Sequence, residues 1–309
     1  MPGTENRLML LDTASLYFRA FFGVPESIKA PDGTPVNAVR GLLDFIARLT
    51  TDRRPARLVA CLDADWRPAF RVALLPSYKA HRLANAARNI EEVPAALQAQ
   101  LPIIDDVLTA LGIAHFGVPG FEADDVIGTL ASGDKGPVDV VTGDRDLFQL
   151  VDDERGVRIL YTARGVGRHE VVDESVVAAK YGIPGRSYAD FATLRGDPSD
   201  GLPGVSGVGD KTAGTLITRF GTIDGLLAAL DDPAAELSPT LRRKIADAHD
   251  YLAVAPDVVK VRHDVPLPAY DDTLPSAPAD PEALVELASR WGLDSSLNRV
   301  LNAFGAAPA

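Results

Sequence analysis

The chain has 309 residues, 46% of them apolar, a formal charge of −12 and one cysteine. That length suits one large or two modest domains, and the lone Cys61 excludes an intramolecular disulfide and reads as a small buried core residue. No apolar run is long enough to span a bilayer, and residues 1–11 carry neither a basic n-region nor a long apolar h-region, so a cytoplasmic protein with no membrane partner is expected.

In chain order, an apolar run at 8–11 ends in Asp12 and leads into a helical stretch that contains Phe18. Apolar positions 39, 42, 43, 46 and 49 predict a helix over 37–49. A second buried strand at 57–62 also ends in an aspartate, Asp63. After a helix over 97–111, a short strand at 113–118 leads into Glu122, Asp124 and Asp125. A strand at 138–142 runs into Asp144 and Asp146, and 157–172 reads as a hairpin turning near 164–167. This alternation predicts an α/β fold with a mostly parallel central sheet, whose site lies beyond the carboxyl ends of the strands. From about residue 176 helical signals dominate, at 176–181, 188–194, 213–220, 223–230 and 241–254. The proline-rich stretch 266–281 reads as a linker, followed by terminal helices over 282–291 and 295–304 and a frayed tail.

Nine carboxylates stand at strand ends or in tight motifs: Asp12, Asp63, Glu122, Asp124, Asp125, Asp144, Asp146, Asp197 and Asp200. Singly, each has a structural explanation, such as a helix cap for Asp12 or Asp63, or a favourable helix N-terminus for Asp124 and Asp125. Jointly, their repulsion calls for cations, and an all-oxygen donor set suits magnesium or manganese, not zinc. Two such ions would activate a water and clamp a phosphate. The stretch 196–213 adds a second device: Asp197 and Asp200 are followed by a hairpin punctuated by Gly204, Gly207 and Gly209, then Lys211 and Thr212 at the start of an apolar helix. Such a turn brings backbone N–H groups and a helix N-terminus to an anion, although by itself it also reads as a plain capped loop. The net charge argues against a nucleic-acid partner, but the distribution does not. Between Asp65 and Glu91 there is no acid, and that window holds Arg67, Arg71, Lys79, His81, Arg82 and Arg88. It reads either as a solvated surface or as a cationic gateway over the carboxylates.

Together these motifs closely resemble the bacterial 5′-3′ exonuclease/flap endonuclease family, whose nuclease also forms the N-terminal domain of many DNA polymerase I proteins. The resemblance rests on Leu10-Leu11-Asp12 with Phe18-Arg19-Ala20-Phe21, on Cys61 to Ala64, on Gly120 to Gly128, on Thr142 to Leu150 and on Gly196 to Ala213, and it covers roughly residues 7–265. It implies a PIN-like nuclease core over 1–175, with a helical arch or clamp at about 66–92, and a helix-hairpin-helix DNA-binding domain with C-terminal helices over 176–309. It implies that the nine carboxylates hold two or more magnesium or manganese ions, some through water, with Asp125 among the essential ones. Lys79 and Arg82 would contact the scissile phosphate and Arg71 would join them on the DNA path. Phe18 would stack on a base near the cut, with core packing as its alternative. The hairpin glycines, Lys211 and Thr212 would grip the duplex backbone, with potassium in the hairpin. One departure is Gly201, where the family usually has asparagine. The implied function is a structure-specific 5′-3′ exonuclease and 5′-flap endonuclease. It would act as a monomer, without sequence preference, on flaps, nicks, 5′ ends and RNA–DNA hybrids during replication and repair at the bacterial nucleoid. A non-catalytic junction-binding protein on the same fold is the alternative, and a single-strand RNase of a related small fold is disfavoured by the long C-terminal half.

Overall fold

The computed structural model describes residues 6–85 and 90–305. Arg88 and the last four residues of the tail lie outside the described residues. Strands β1 (Leu8–Asp12), β2 (Arg57–Cys61), β5 (Ala114–Phe116), β6 (Val138–Thr142), β7 (Val157–Tyr161) and β8 (Glu170–Val172) form a six-stranded sheet in the order β5-β2-β1-β6-β7-β8. Strands β3 (Leu83–Asn85) and β4 (Ile90–Glu91) pair as a separate antiparallel ribbon. All neighbours in the large sheet are parallel except β7 and β8, which form the expected hairpin. The central strands β1 and β6 are buried on both faces and almost wholly apolar; the one interior charge of β6, Asp139, is paired with Arg7 and Arg53.

The two faces follow the period of two along each strand. Leu8, Leu10, Val59, Cys61, Val138 and Val140 point into one core, while Met9, Leu11, Leu58, Ala60 and Val141 point into the other. The second core is roofed by α1 (Thr13–Gly23), α2 (Asn37–Arg53) and, after the short helices α3 (Ala69–Leu74) and α4 (Ala95–Gln98), by α5 (Leu101–Leu111). The first core is built on α6 (Ala123–Gly133) and continues without a break into the helices that follow the sheet. These are α7 (Glu174–Tyr181), α8 (Tyr188–Arg195), α9 (Asp210–Phe220), α10 (Ile223–Ala228), α11 (Pro239–Asp247), α12 (His249–Leu252) and α13 (Ala255–Val259). The terminal helices α14 (Pro281–Trp291) and α15 (Asp294–Gly305) return to the other side of the sheet. There α14 packs on α5 and α15 on α2, with Leu284, Leu293, Leu297, Val300 and Phe304 buried.

Between 66 and 92 the expected helical arch takes another form among the described residues. The six-residue α3 is followed by a 3₁₀ turn at Ala80–Arg82 and the β3–β4 ribbon. Two of its arginines turn inward. The guanidinium of Arg67 donates to the carbonyls of Tyr78 (2.5 Å) and Pro76 (2.7 Å), folding the segment onto itself. Arg71, expected on the DNA path, is 2% exposed. It grips Asp125 with two hydrogen bonds of 2.7 Å, and also holds Glu122 at 2.5 Å and the Val258 carbonyl at 2.8 Å. All three of its nitrogens are engaged inside the protein, so it is corrected from a strand contact to a buried brace.

Candidate active site

The chain leaves β1 toward β2 on one side and arrives at β6 on the other, so a crevice opens where the strand order reverses. At that point lies a basin of about 350 Å³. Its walls carry Asp12, Asp63, Glu122, Asp124, Asp144 and Asp197, with Lys79 and Arg82 beside them.

Asp12 ends β1 and also caps α1, accepting from the Ser15 N–H at 3.1 Å. Its other oxygen accepts from Thr142 Oγ1 at 2.7 Å, and that hydroxyl in turn accepts the Asp144 N–H at 2.9 Å. Thr142 thereby ties the ends of β1 and β6 together under the two aspartates. Asp63, just past β2, accepts the Ala123 N–H at 2.7 Å and so orients the start of α6. Glu122 is buried under Tyr78, whose hydroxyl lies 2.9–3.0 Å from both carboxylate oxygens, and it pairs with Lys79. Asp124 opens α6 and faces the basin.

Asp125 does not face it. It is 0% exposed, and its oxygens take the two Arg71 bonds, the Glu122 N–H (3.2 Å) and the Arg262 N–H (2.9 Å). Neighbouring residues on a helix diverge by about 100°, and here that turn aims Asp124 at the basin and Asp125 at Arg71. The structure corrects Asp125 from a metal ligand to the carboxylate that braces Arg71.

Burial and like charges raise the basin carboxyls. Burial, then Asp63 and Asp144, push Asp12 up to about 7 against the relief given by the Thr142 hydrogen bond. Burial, followed by Asp12 and Asp144, lifts Asp124 well above the carboxylate range. Burial and then Asp200 raise Asp144; burial followed by Asp144, Asp200 and Asp197 raises Asp146 strongly. Burial works against the charge of Lys79, but Glu122 beside it keeps the ammonium protonated well beyond its ordinary range.

This donor set fits the divalent cations that the resemblance implies. Its ligand atoms are all carboxylate oxygens. Asp146 is 8% exposed, and its buried Oδ1 has no hydrogen-bond partner among the described residues. Among the described residues no three His, Cys, Asp or Glu side chains already converge as a finished ligand set. Each carboxylate is held instead by a partner of its own, Thr142 for Asp12, the Ala123 N–H for Asp63 and Lys79 for Glu122, and a cation would relieve the repulsion between them.

The loop after α8 brings the second acidic pair to the same place. Asp197 accepts from the Ser199 N–H and hydroxyl at 2.8 and 2.5 Å, and Arg195 lies 3.5 Å from its carboxylate. Asp200 accepts from Arg82 at 2.8 Å. The hairpin then crosses the end of α8: a Cβ on Gly204 would lie 2.5 Å from the Arg195 carbonyl, so only glycine permits this approach. Gly209 caps α9, with Lys211 and Thr212 in its first turn and Lys211 exposed. Phe18 is half-buried and stands on the wall shared by the basin and a second groove lined by Arg19, Phe22, Arg164 and Arg168.

Three contributors escape sequence reasoning. Tyr78 adjoins Lys79 but carries no charge to flag it. Glu91, the first acid after the basic window, reaches the basin through β4. Lys244 on α11 comes from far along the chain to Gly207, where a Cβ would sit 2.5 Å from its Nζ.

Comparison with known proteins gives the chain's family and its fold. Residues 7–182 match the family described as 5′-3′ exonuclease, N-terminal resolvase-like domain, and residues 183–282 match its C-terminal SAM fold. A 5′-3′ exonuclease of Streptomyces coelicolor is 63% identical over 296 residues, covering 95% of this chain and 98% of that protein. DNA polymerase I of Mycobacterium tuberculosis is 40% identical over 277 residues, covering 88% of this chain and 29% of the polymerase. In fold, the chain is similar to the bacteriophage T5 flap endonuclease solved with DNA and metal ions, with a TM-score of 0.63 at 18% identity over 97% of this chain and 99% of that one. With both domains matched in sequence and the acidic crevice at the expected strand ends, the chain belongs to the 5′-3′ exonuclease family.

Proposed function

We propose that the protein hydrolyses DNA phosphodiesters at 5′ ends, nicks and 5′ flaps, close to the junction of single and double strand, with magnesium or manganese at two or more positions. The observation that supports this most is the basin itself: carboxylates from beyond four strand ends stand with Asp197 of the 197–200 loop, and three cationic side chains, Lys79, Arg82 and Arg145, line it with them. Asp12, Asp63, Glu122, Asp124 and Asp144 would hold the ions, joined by Asp146, Asp197 and Asp200 directly or through water. The ions supply an activated water and neutralise charge on the phosphate.

The chain's own groups do the rest. Lys79 and Arg82 offer positive charge to the scissile phosphate once the acids they now face are neutralised by cations. Phe18, on the wall between basin and groove, offers a ring face to a base next to the cut. The amides at Gly204, Gly207 and Gly209, with Lys211 and Thr212, hold the duplex backbone at a distance from the chemistry. Lys244 supplies a positive charge at the hairpin where the resemblance implies potassium. Backbone contacts position without reading sequence, so specificity is for a junction, and an RNA primer paired to DNA fits the same path. Basin and hairpin belong to one chain, which supports action as a monomer on replication and repair intermediates at the bacterial nucleoid.

The test is a 5′-labelled flap beside a nick, incubated with magnesium, manganese or chelator, using wild type and Asp124→Asn. Metal-dependent cutting near the junction is expected, reduced roughly 100-fold or more in the variant. Tight junction binding without cutting in any metal would replace this reading with that of a non-catalytic binding protein.

A further inference from the structure

The segment carrying Lys79 and Arg82 is tied to the 197–201 loop at three levels. The Lys79 N–H donates to the Asp200 carbonyl at 2.9 Å. The Ser77 hydroxyl donates to the Gly201 carbonyl at 3.0 Å. The Arg82 guanidinium donates to the Ser199 carbonyl at 2.7 Å and to Asp200 Oδ1 at 2.8 Å. Lys79 itself is a non-glycine residue in the left-handed region, at φ 48°, so its backbone is held there by its surroundings.

Such closeness depends on residue 201. Gly201 has φ +74°, and a Cβ there would lie 2.2 Å from the Ser77 carbonyl oxygen and 3.4 Å from the Lys79 nitrogen. The obstacle is backbone, not the tip of a flexible side chain, so any other residue forces the two segments apart by roughly 1 Å. That movement falls on the Lys79–Asp200 bond.

We propose that Gly201 is a positioning residue. By admitting the backbone of Ser77 to the 197–201 loop, it latches the cationic segment to the second acidic pair and fixes the Lys79 ammonium over the basin. Its effect on rate rests on the nuclease reading above; the latch itself does not. A displacement of about 1 Å in groups that orient the reacting centre is enough to cost up to roughly 100-fold in rate.

The experiment measures two quantities on Gly201→Ala. Hydrogen exchange of the Lys79 amide in the free protein reads the latch, and single-turnover cleavage of a saturating 5′ flap, with the dissociation constant measured separately, reads its consequence. Exchange faster by roughly 10-fold or more is expected, with a cleavage rate roughly 10- to 100-fold lower and flap affinity within about twofold. Gly201→Asn repeats the measurement with a residue that enters the left-handed region more readily yet still carries a Cβ; the same changes are expected. Unchanged exchange at Lys79 in both variants overturns the proposal, as does faster exchange with a wild-type cleavage rate. Wild-type protein that cuts nothing would overturn the nuclease reading, while the exchange measurement still decides the latch.

Discussion

The Asp125–Arg71 pair is a buried brace and not part of the basin wall. Both partners are buried, Arg71 at 2% exposure and Asp125 at 0%, and their paired hydrogen bonds connect α6 to α3 and the 258–262 segment. Removing Asp125 strips the buried Arg71 of its bidentate partner and leaves Glu122 as its remaining acidic contact, a loss at the low end of the range for a broken buried pair, about 3 kcal/mol. Asp125→Ala is therefore expected to lose about that much in urea unfolding, whereas Asp124→Asn, which relieves repulsion in the basin, should keep wild-type stability in chelator. Equal, small effects in the two variants would refute the separation of roles. Asp12 makes a second prediction, about pH. Its carboxyl loses a proton near 3.8 in the unfolded chain and near 7 in the folded one. Between those values the unfolded state binds fewer protons, so rising pH favours unfolding, and the penalty is complete above about 7. Asp134 works oppositely: against burial, the Arg57 hydrogen bond holds its carboxyl low, so it loses stability only as pH falls below the ordinary aspartate range. In chelator, the urea midpoint should fall between pH 4.5 and 7, and magnesium should raise it most at the upper end. A midpoint that rises through that window without metal would contradict the crowding of the carboxylates.

At the scale of elements, the terminal helices test how the molecule is joined. Leu293 is 0% exposed in the turn between α14 and α15, and it belongs to the core that also contains Leu42, Leu43 and Ile46 of α2. Leu293→Ala should cost about 2–5 kcal/mol in unfolding, because the transfer loss is joined by a cavity. The cleavage rate per folded molecule should stay at the wild-type level, since this core lies under α2 and not at the basin. A loss of stability below about 0.5 kcal/mol would mean that the helices do not support the sheet. The amphipathic stripes of α14 and α15 were readable from residues 281–304, but a stripe does not name its partner, and here the partners α5 and α2 lie roughly 180 and 250 residues earlier. The strands β1, β2 and β6 were readable because a doubly covered sheet needs mostly apolar runs, even with Asp139 inside β6, and an aspartate at or just past the end of each marks the crevice. The β3–β4 ribbon was not, since two or three residues cannot show a period of two. Nor was the split between Asp124 and Asp125, whose neighbouring positions hide a turn of about 100°. The inward course of Arg67 and Arg71 was equally invisible, because a run without acids looks the same whether its arginines face solvent or backbone carbonyls.

Over the whole molecule, a net charge of −12 opposes an anionic polymer, so the proposed DNA path depends on local concentration of cations. Lys180, Lys211 and Arg219 line one groove along α9 with Asp210, Lys180 being paired with Glu170 and Arg219 with Glu236, and Lys244 lies at the hairpin a short way off. Lys211, for which no ion pair is found among the described residues, and Lys244 at the hairpin make this the face by which a phosphate backbone would approach. Binding should then weaken steeply with salt, each phosphate contact contributing about 0.9 to the slope of log affinity against log salt. Lys211→Ala should make that slope shallower by about 0.9 for a nicked flap. It should leave single-turnover cleavage of saturating substrate near wild type, because Lys211 lies on α9 and not among the groups that line the basin. Titrations in calcium across a salt series would measure the slope with the carboxylates neutralised. An unchanged slope would move the phosphate path off α9. A slope change accompanied by a slower saturated rate would mean that the hairpin and the basin act as one unit.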